Sequence, residues 1–324
     1  MTITFTSQTI MKNTSSCCIT ILLLLAVASG VMGQQNLTDD NLSSIFFRFY
    51  NGALDNYQDE FIDNTDLLMD LVDNSKPTVL YVHGYTESVE STSVKTVVGA
   101  YLKRKDHNTI AVDYSKFAGE DYLSVAKGAG DVGTVIAGGL DRLVSAGLDP
   151  EKIQVVGHSM GAQVSSRMSK HLSFQVARIT GLDPAGPSFN VIQDRLSAGD
   201  ARFVDIIHTD FGGYGVARPT GNIDFFPNGG HRIQPGCTLI SEPLSSDDFC
   251  SHHRSWWLYA ESLLNEIAFI GVNCSSELLY FLNACSSNEK VIMGIATPPS
   301  ASGKYYFRTN AQSPYGRGVD GVNP

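Results

Sequence analysis

Ser159 stands within Gly157-His158-Ser159-Met160-Gly161, directly after the β-rich run Ile153-Gln154-Val155-Val156 and directly before a helical pattern. A sharp strand-to-helix turn of this kind needs glycine on both sides, because a Cβ at either flank would collide with neighbouring backbone. The turn lifts the serine oxygen above the edge of a sheet, where a substrate can reach it. The five-residue pattern alone arises often by chance, and the strand-and-helix setting gives it weight. The chemistry it predicts is nucleophilic catalysis by Ser159.

A serine hydroxyl is a poor nucleophile near neutral pH, so it needs a base, and the base needs an acid to orient it. In folds built around this turn the partners follow in the order serine, acid, histidine. Asp183, in Gly181-Leu182-Asp183-Pro184-Ala185-Gly186-Pro187, follows a later strand and is the preferred acid. Asp205 is the rival, but it lies inside a strand pattern rather than at its end. Four histidines come after Asp183: His208, His231, His252 and His253. His208 ends a strand and reads as a packed, hydrogen-bonded residue. His252 and His253 begin a helix just past Cys250. Neighbouring helical residues diverge by about 100°, so only one of them can face Ser159, and spacing alone leaves the two equal. An oxyanion formed at Ser159 needs backbone N–H donors. Met160, next to the nucleophile, supplies one, and Tyr85 in His83-Gly84-Tyr85, after the strand 78–82, supplies the other.

The elements that must position these residues alternate. Strands are expected at 78–82, 109–112, 153–156, 179–182 and 203–207, with a last one near 305–307. Helices are expected over 122–146, from the serine turn to 170, and over 251–265, with Gly147 suited to ending the first of these. The stretch 209–236 is rich in Gly and Pro and reads as a loop. Strands separated by helices imply an α/β fold with a mainly parallel sheet covered on both faces. No linker is long enough to set off a second domain.

Composition narrows the function. The 324 residues are 43% hydrophobic and 17% charged, ordinary for a globular chain. Lys12 followed by the apolar run 19–28 and small residues to Gly33 describes a signal peptide, residues 1–33, with Gly30 as the other cleavage point and Met11 as an alternative start. The run is too short for a membrane span. Removing residues 1–33 takes one lysine and no acid, which leaves 22 basic against 33 acidic residues, a net charge of −11. Such a chain is not drawn to nucleic acid or anionic membrane by long-range attraction, so contact with a lipid surface must be apolar. Of the four cysteines then left, sequential pairing Cys237–Cys250 and Cys274–Cys285 is the simplest of three connectivities, and the absence of any C-x-x-C pair argues against zinc. Asn36, Asn41 and Asn273 open glycosylation sequons in an exported protein.

These pieces jointly resemble the pancreatic lipase family, specifically its arthropod branch of lipases and phospholipases A1, over residues 45–318. The resemblance is carried by the segments 82–87, 156–162 and 181–187 quoted in part above, by Phe203-Val204-Asp205-Ile206-Ile207-His208-Thr209, by Asp224-Phe225-Phe226-Pro227-Asn228-Gly229-Gly230 and by Cys250-Ser251-His252-His253-Arg254-Ser255. It implies an α/β-hydrolase fold for a single lipase domain, 34–324, with Ser159 as nucleophile and Asp183 as acid. It also implies that the base is His252, two residues after the cysteine. The Cys237–Cys250 pair would bracket a lid of twelve residues, 238–249, carrying Leu239, Ile240, Leu244 and Phe249 among three acids. A short lid and a short loop 210–222 are similar to those of phospholipases A1, which cleave the sn-1 ester; longer versions go with triacylglycerol lipases. A triacylglycerol or galactolipid lipase is therefore the alternative enzyme, and a yolk-type storage protein the alternative outside catalysis. The family's colipase-docking β-sandwich has no counterpart here, so no colipase partner is expected. In the segment 192–200, where vertebrate members bind calcium, Ser197 stands in place of an aspartate and Asp200 is left, so neither calcium nor another cofactor is expected. A secreted monomer acting at a lipid–water interface is the expectation.

Overall fold

The computed structural model describes residues 39–191 and 194–324. The expected signal peptide, residues 1–33, and Asn36 lie outside the described residues. Eleven strands form one sheet in the order β10-β9-β11-β8-β7-β6-β5-β3-β4-β1-β2. They are β1 Phe46–Ala53, β2 Asn56–Phe61, β3 Thr78–Val82, β4 Asn108–Asp113, β5 Ile153–His158, β6 Arg178–Leu182, β7 Phe203–Ile207, β8 Ile223–Pro227, β9 Ile270–Asn273, β10 Lys290–Ile292 and β11 Gly303–Phe307. The seven strands from β11 to β4 run parallel, and two antiparallel strands flank them at each edge. β3, β5, β6, β7 and β8 are buried along their whole length, apart from half-buried Gln154. This is why all of them but β8 read as nearly continuous apolar runs rather than alternating ones.

Side chains still alternate between two cores. Leu80 and Val82 of β3 join Ile110, Val112, Val155 and Ile179 on one side. Val79 and Tyr81 join Ala111, Val156 and Phe225 on the other. The main helices are α1 Thr92–Arg104, α2 Tyr122–Ser145, α3 Met160–Ser169 and α4 Cys250–Leu264. α2 and α3 cover the first core through residues such as Val132, Ile136, Leu140 and Val164. α1 and α4 cover the second through Val94, Val98, Trp256 and Tyr259.

The expected strands and helices are all present, with ends differing by at most two residues. The loop reading of 209–236 is corrected: it contains β8, a central strand between β7 and β11. Its flanking Gly and Pro residues and the polar Asp224 disguised it. Asp224 is tolerated in the core because His208 and the N–H groups of Thr220 and Gly221 satisfy its oxygens. The same contact makes His208 the packed, bonded residue expected. Both sequential disulfides form, Cys237–Cys250 and Cys274–Cys285. Asn41 donates to Glu120, and Asn273 lies in β9, paired on both edges.

Asp205, the rival acid, is spent on structure. It is fully buried, takes a two-pronged bond from Arg178 at 2.8 and 2.7 Å, and accepts from Thr180 at 2.8 Å. Removing one member of a buried pair strands the other charge. Asp205→Ala is expected to lower stability by about 3–5 kcal/mol, read from the midpoint of urea denaturation.

Candidate active site

β5 delivers the chain to Ser159 and α3 takes it away. At the turn Ser159 has φ 52° and ψ −118°, a left-handed conformation that an L-residue adopts only when its surroundings enforce it. Those surroundings are glycines. A Cβ on Gly157 would lie 2.6 Å from the Ala162 Cα, and one on Gly161 would lie 2.1 Å from the carbonyl oxygen of Val82. The start of α3 is therefore pressed against the loop leaving β3, the loop that carries Tyr85. Met160 opens α3, so its N–H has no intrahelical acceptor. The Tyr85 N–H donates to no described residue, whereas Gly84 N–H and Thr86 N–H on either side are engaged by Glu87 and Ala118.

β6 delivers the acid. Ser159 N–H donates to the Leu182 carbonyl at 3.0 Å, and Ala185 N–H donates to the Ser159 carbonyl at 3.1 Å, so the turn and the segment bearing Asp183 are bonded on both sides. Asp183 is fully buried. One oxygen accepts the N–H groups of Thr209 and Asp210 at 2.9 and 3.1 Å, and the other meets Nδ1 of His252 at 2.5 Å. Gly215 closes over the carboxylate so tightly that a Cβ there would lie 2.6 Å from it. With Asp183 accepting at Nδ1, that nitrogen carries the hydrogen and Nε2 is left as the basic one.

α4 delivers His252, the candidate base, from its first turn, tethered by the Cys237–Cys250 disulfide and by Thr209 Oγ1 donating to the His252 carbonyl. The two histidines that spacing left equal are separated by their surroundings. Burial opposes a charge on His252, but the hydrogen bond and charge of Asp183, with the charges of Asp210 and Glu87, raise its pKa above the ordinary value. His253 has no carboxylate partner; burial and the neighbouring His158 and His252 push it down to about 3. The His252 ring lies 5.0 Å from that of His158, the residue before Ser159. The Ser159 hydroxyl itself makes no hydrogen bond among the described residues; such contacts commonly tighten only with substrate bound.

Several participants had no signature in the sequence. Asp210 holds Arg232 by both oxygens at 2.8 and 2.7 Å, and Arg232 reaches on to Asp248 at 3.1 Å. Asp248 also accepts from Tyr214 at 2.5 Å and from the Leu244 N–H at 3.0 Å. The segment 238–249 is thus pinned at one end to the loop after β7. Its apolar residues divide: Leu239, Ile240 and Leu244 are 82%, 88% and 72% exposed, whereas Phe249 turns inward against Tyr214 at 4.6 Å and stacks on His253. Glu87 and His158 form a second unforeseen pair. Asp200 is occupied by Ser166 Oγ and the Ser197 N–H, and among the described residues no cluster of three potential metal ligands occurs.

A mainly parallel sheet, a strained serine at a strand-to-helix turn, and a buried acid and histidine after later strands define an α/β-hydrolase. The chain belongs to the lipase family, that of the pancreatic lipases, whose model matches residues 28–315. It is 32% identical over 264 residues to pancreatic triacylglycerol lipase of Myocastor coypus, covering 75% of this chain and 58% of that protein. It is 36% identical over 231 residues to lipase member H-B of Xenopus laevis, covering 69% and 49%. With pancreatic lipase-related protein 2 of Cavia porcellus the identity is 34% over 249 residues, covering 72% and 55%. The chain thus spans about half the length of the curated relatives it matches. Among the described residues no helix is long and apolar enough to cross a membrane.

The environments of the adjacent histidines give a direct expectation. In an NMR titration of imidazole resonances, His252 gains its proton at a pH above the usual 6.5 or so, while His253 stays neutral down to about pH 3.

Proposed function

We propose that this protein is a secreted lipid ester hydrolase that cleaves the sn-1 acyl ester of glycerophospholipids. The observation that carries the hydrolase reading is the buried Asp183–His252 pair, 2.5 Å apart, set beside a serine held at positive φ. Ser159 Oγ attacks the ester carbonyl while His252 Nε2 accepts its proton, and Asp183 holds the imidazole and stabilises its charge. The N–H groups of Tyr85 and Met160 bind the oxyanion as it forms. The imidazolium then protonates the departing lysophospholipid alkoxide, leaving the acyl group on Ser159. Water attacks that ester with His252 again taking the proton, and the fatty acid leaves as Ser159 recovers its hydrogen.

The choice of phospholipid rests on how little covers the site. The bracketed segment has twelve residues and neither helix nor strand, and the loop 210–222 is similarly brief, which leaves room for a polar head group. Exposed Leu239, Ile240 and Leu244 give an acidic protein an apolar means of meeting a lipid surface. The leader and the two disulfides support export. Triacylglycerol hydrolysis is the second reading, favoured by the similarity to the pancreatic triacylglycerol lipase of Myocastor coypus.

Ser159→Ala is expected to lower kcat by about 10⁴-fold or more with the fold intact, and an organophosphonate ester should label the wild type at Ser159. Defined phospholipids and triglycerides with distinct acyl chains separate the readings. Release of the sn-1 chain from phosphatidylcholine with little triglyceride turnover is the result expected. Preferential triglyceride turnover favours the second reading. Failure of Ser159 to label would leave a storage role.

A further inference from the structure

Glu87 is 84% enclosed at its side chain, yet it carries a carboxylate that no part of the mechanism above uses. One of its oxygens accepts two hydrogen bonds. The Gly84 N–H donates at 2.6 Å, and His158 Nδ1 donates at 3.2 Å. The first donor belongs to the loop bearing the Tyr85 N–H, and the second to the residue immediately before Ser159. That single oxygen therefore joins the two segments whose separation sets the distance from oxyanion donor to nucleophile. The contact between them is already close: a Cβ on Gly84 would lie 3.0 Å from His158 Nδ1 and 3.3 Å from the Ser159 Cβ.

Two further facts give this bond its weight. The turn is closed from both ends, since Glu87 N–H donates back to the Gly84 carbonyl at 3.3 Å. By occupying Gly84 N–H, Glu87 also leaves Tyr85 N–H as the donor free to face a substrate. On the other side, His158 Nε2 is buried without a protein partner, so the bond to Glu87 is the only described hydrogen bond that orients this ring. Burial opposes ionisation of the Glu87 carboxyl, but the contact with His158 holds it well below the usual range.

We propose that Glu87 is a positioning residue, clamping the Tyr85 loop to His158 so that the oxyanion donor and Ser159 keep a fixed separation. The inference rests on the hydrolase reading of the same site. Reach, more than charge, is what the clamp requires. Glutamine can present an oxygen at the same distance, whereas aspartate keeps the charge but falls short by one methylene.

The test compares Glu87→Gln and Glu87→Asp with the wild type on a soluble p-nitrophenyl ester, with rates normalised to folded protein and thermal midpoints measured alongside. Displaced oxyanion donors act on the transition state and not on substrate binding. Glu87→Asp is therefore expected to lower kcat by about 10–100-fold with KM unchanged, and Glu87→Gln to stay within about threefold of wild type. Wild-type kcat in Glu87→Asp overturns the proposal, as does a Glu87→Gln enzyme as slow as Glu87→Asp, which would make the charge the active feature. Loss of thermal stability in both with unchanged kcat per folded molecule would overturn it in favour of a purely structural role. A wild type that hydrolyses no ester at all would sink the hydrolase reading instead, and this inference with it.

Discussion

The bond between Asp183 and His252 is the constraint around which the rest of the structure is arranged. A carboxylate with no exposure to water is costly unless it is hydrogen-bonded. Here both oxygens are engaged, by two backbone N–H groups on one and an imidazole on the other. Each partner comes from a different segment. The loop after β7 supplies Thr209 and Asp210, and α4 supplies His252. An acid placed at the end of β6 therefore requires its neighbouring strand, that strand's loop and a distant helix to converge. The disulfide at the start of α4 and the enclosing Gly215 serve that convergence.

Strain at Ser159 is held in the same way. Ser159 keeps its left-handed backbone because its own N–H and C=O are bonded to the β6 segment while Gly157 and Gly161 admit backbone at distances that no side chain allows. The turn and the acid are thus one hydrogen-bonded unit. The loop bearing Tyr85 is a second, pressed onto the first across Gly161 and joined to it through Glu87 and His158.

Around this unit the surface is divided by charge and by hydrophobicity. Asp210, Arg232, Asp248 and Tyr214 form a polar chain from beside Asp183 to the segment 238–249. Burial and the adjacent Asp183 push Asp210 above the usual carboxylate range, against the stabilising fork of Arg232. That chain fixes one end of the segment while its aliphatic residues face water and Phe249 closes over Tyr214 and His253.

Much of this was legible in the chain alone. The parallel strands are buried on both faces, so their β-branched runs stand out, and the glycines flanking Ser159 mark a turn that only glycine permits. The preference for Asp183 over Asp205 followed from its place at a strand end. Two things could not be read from spacing and local pattern and took their physical reason from tertiary structure. Spacing within one helix cannot distinguish His252 from His253, because the distinction is which ring meets a carboxylate 69 residues away. Nor can a sequence show that Asp224 is satisfied, so β8 was hidden among glycines and prolines until β7 and β11 enclosed it. Glu87 illustrates the same limit. Local sequence encodes turns and periodicity through short-range sterics, whereas the partner of a buried polar group is set by long-range packing, which leaves no local signature.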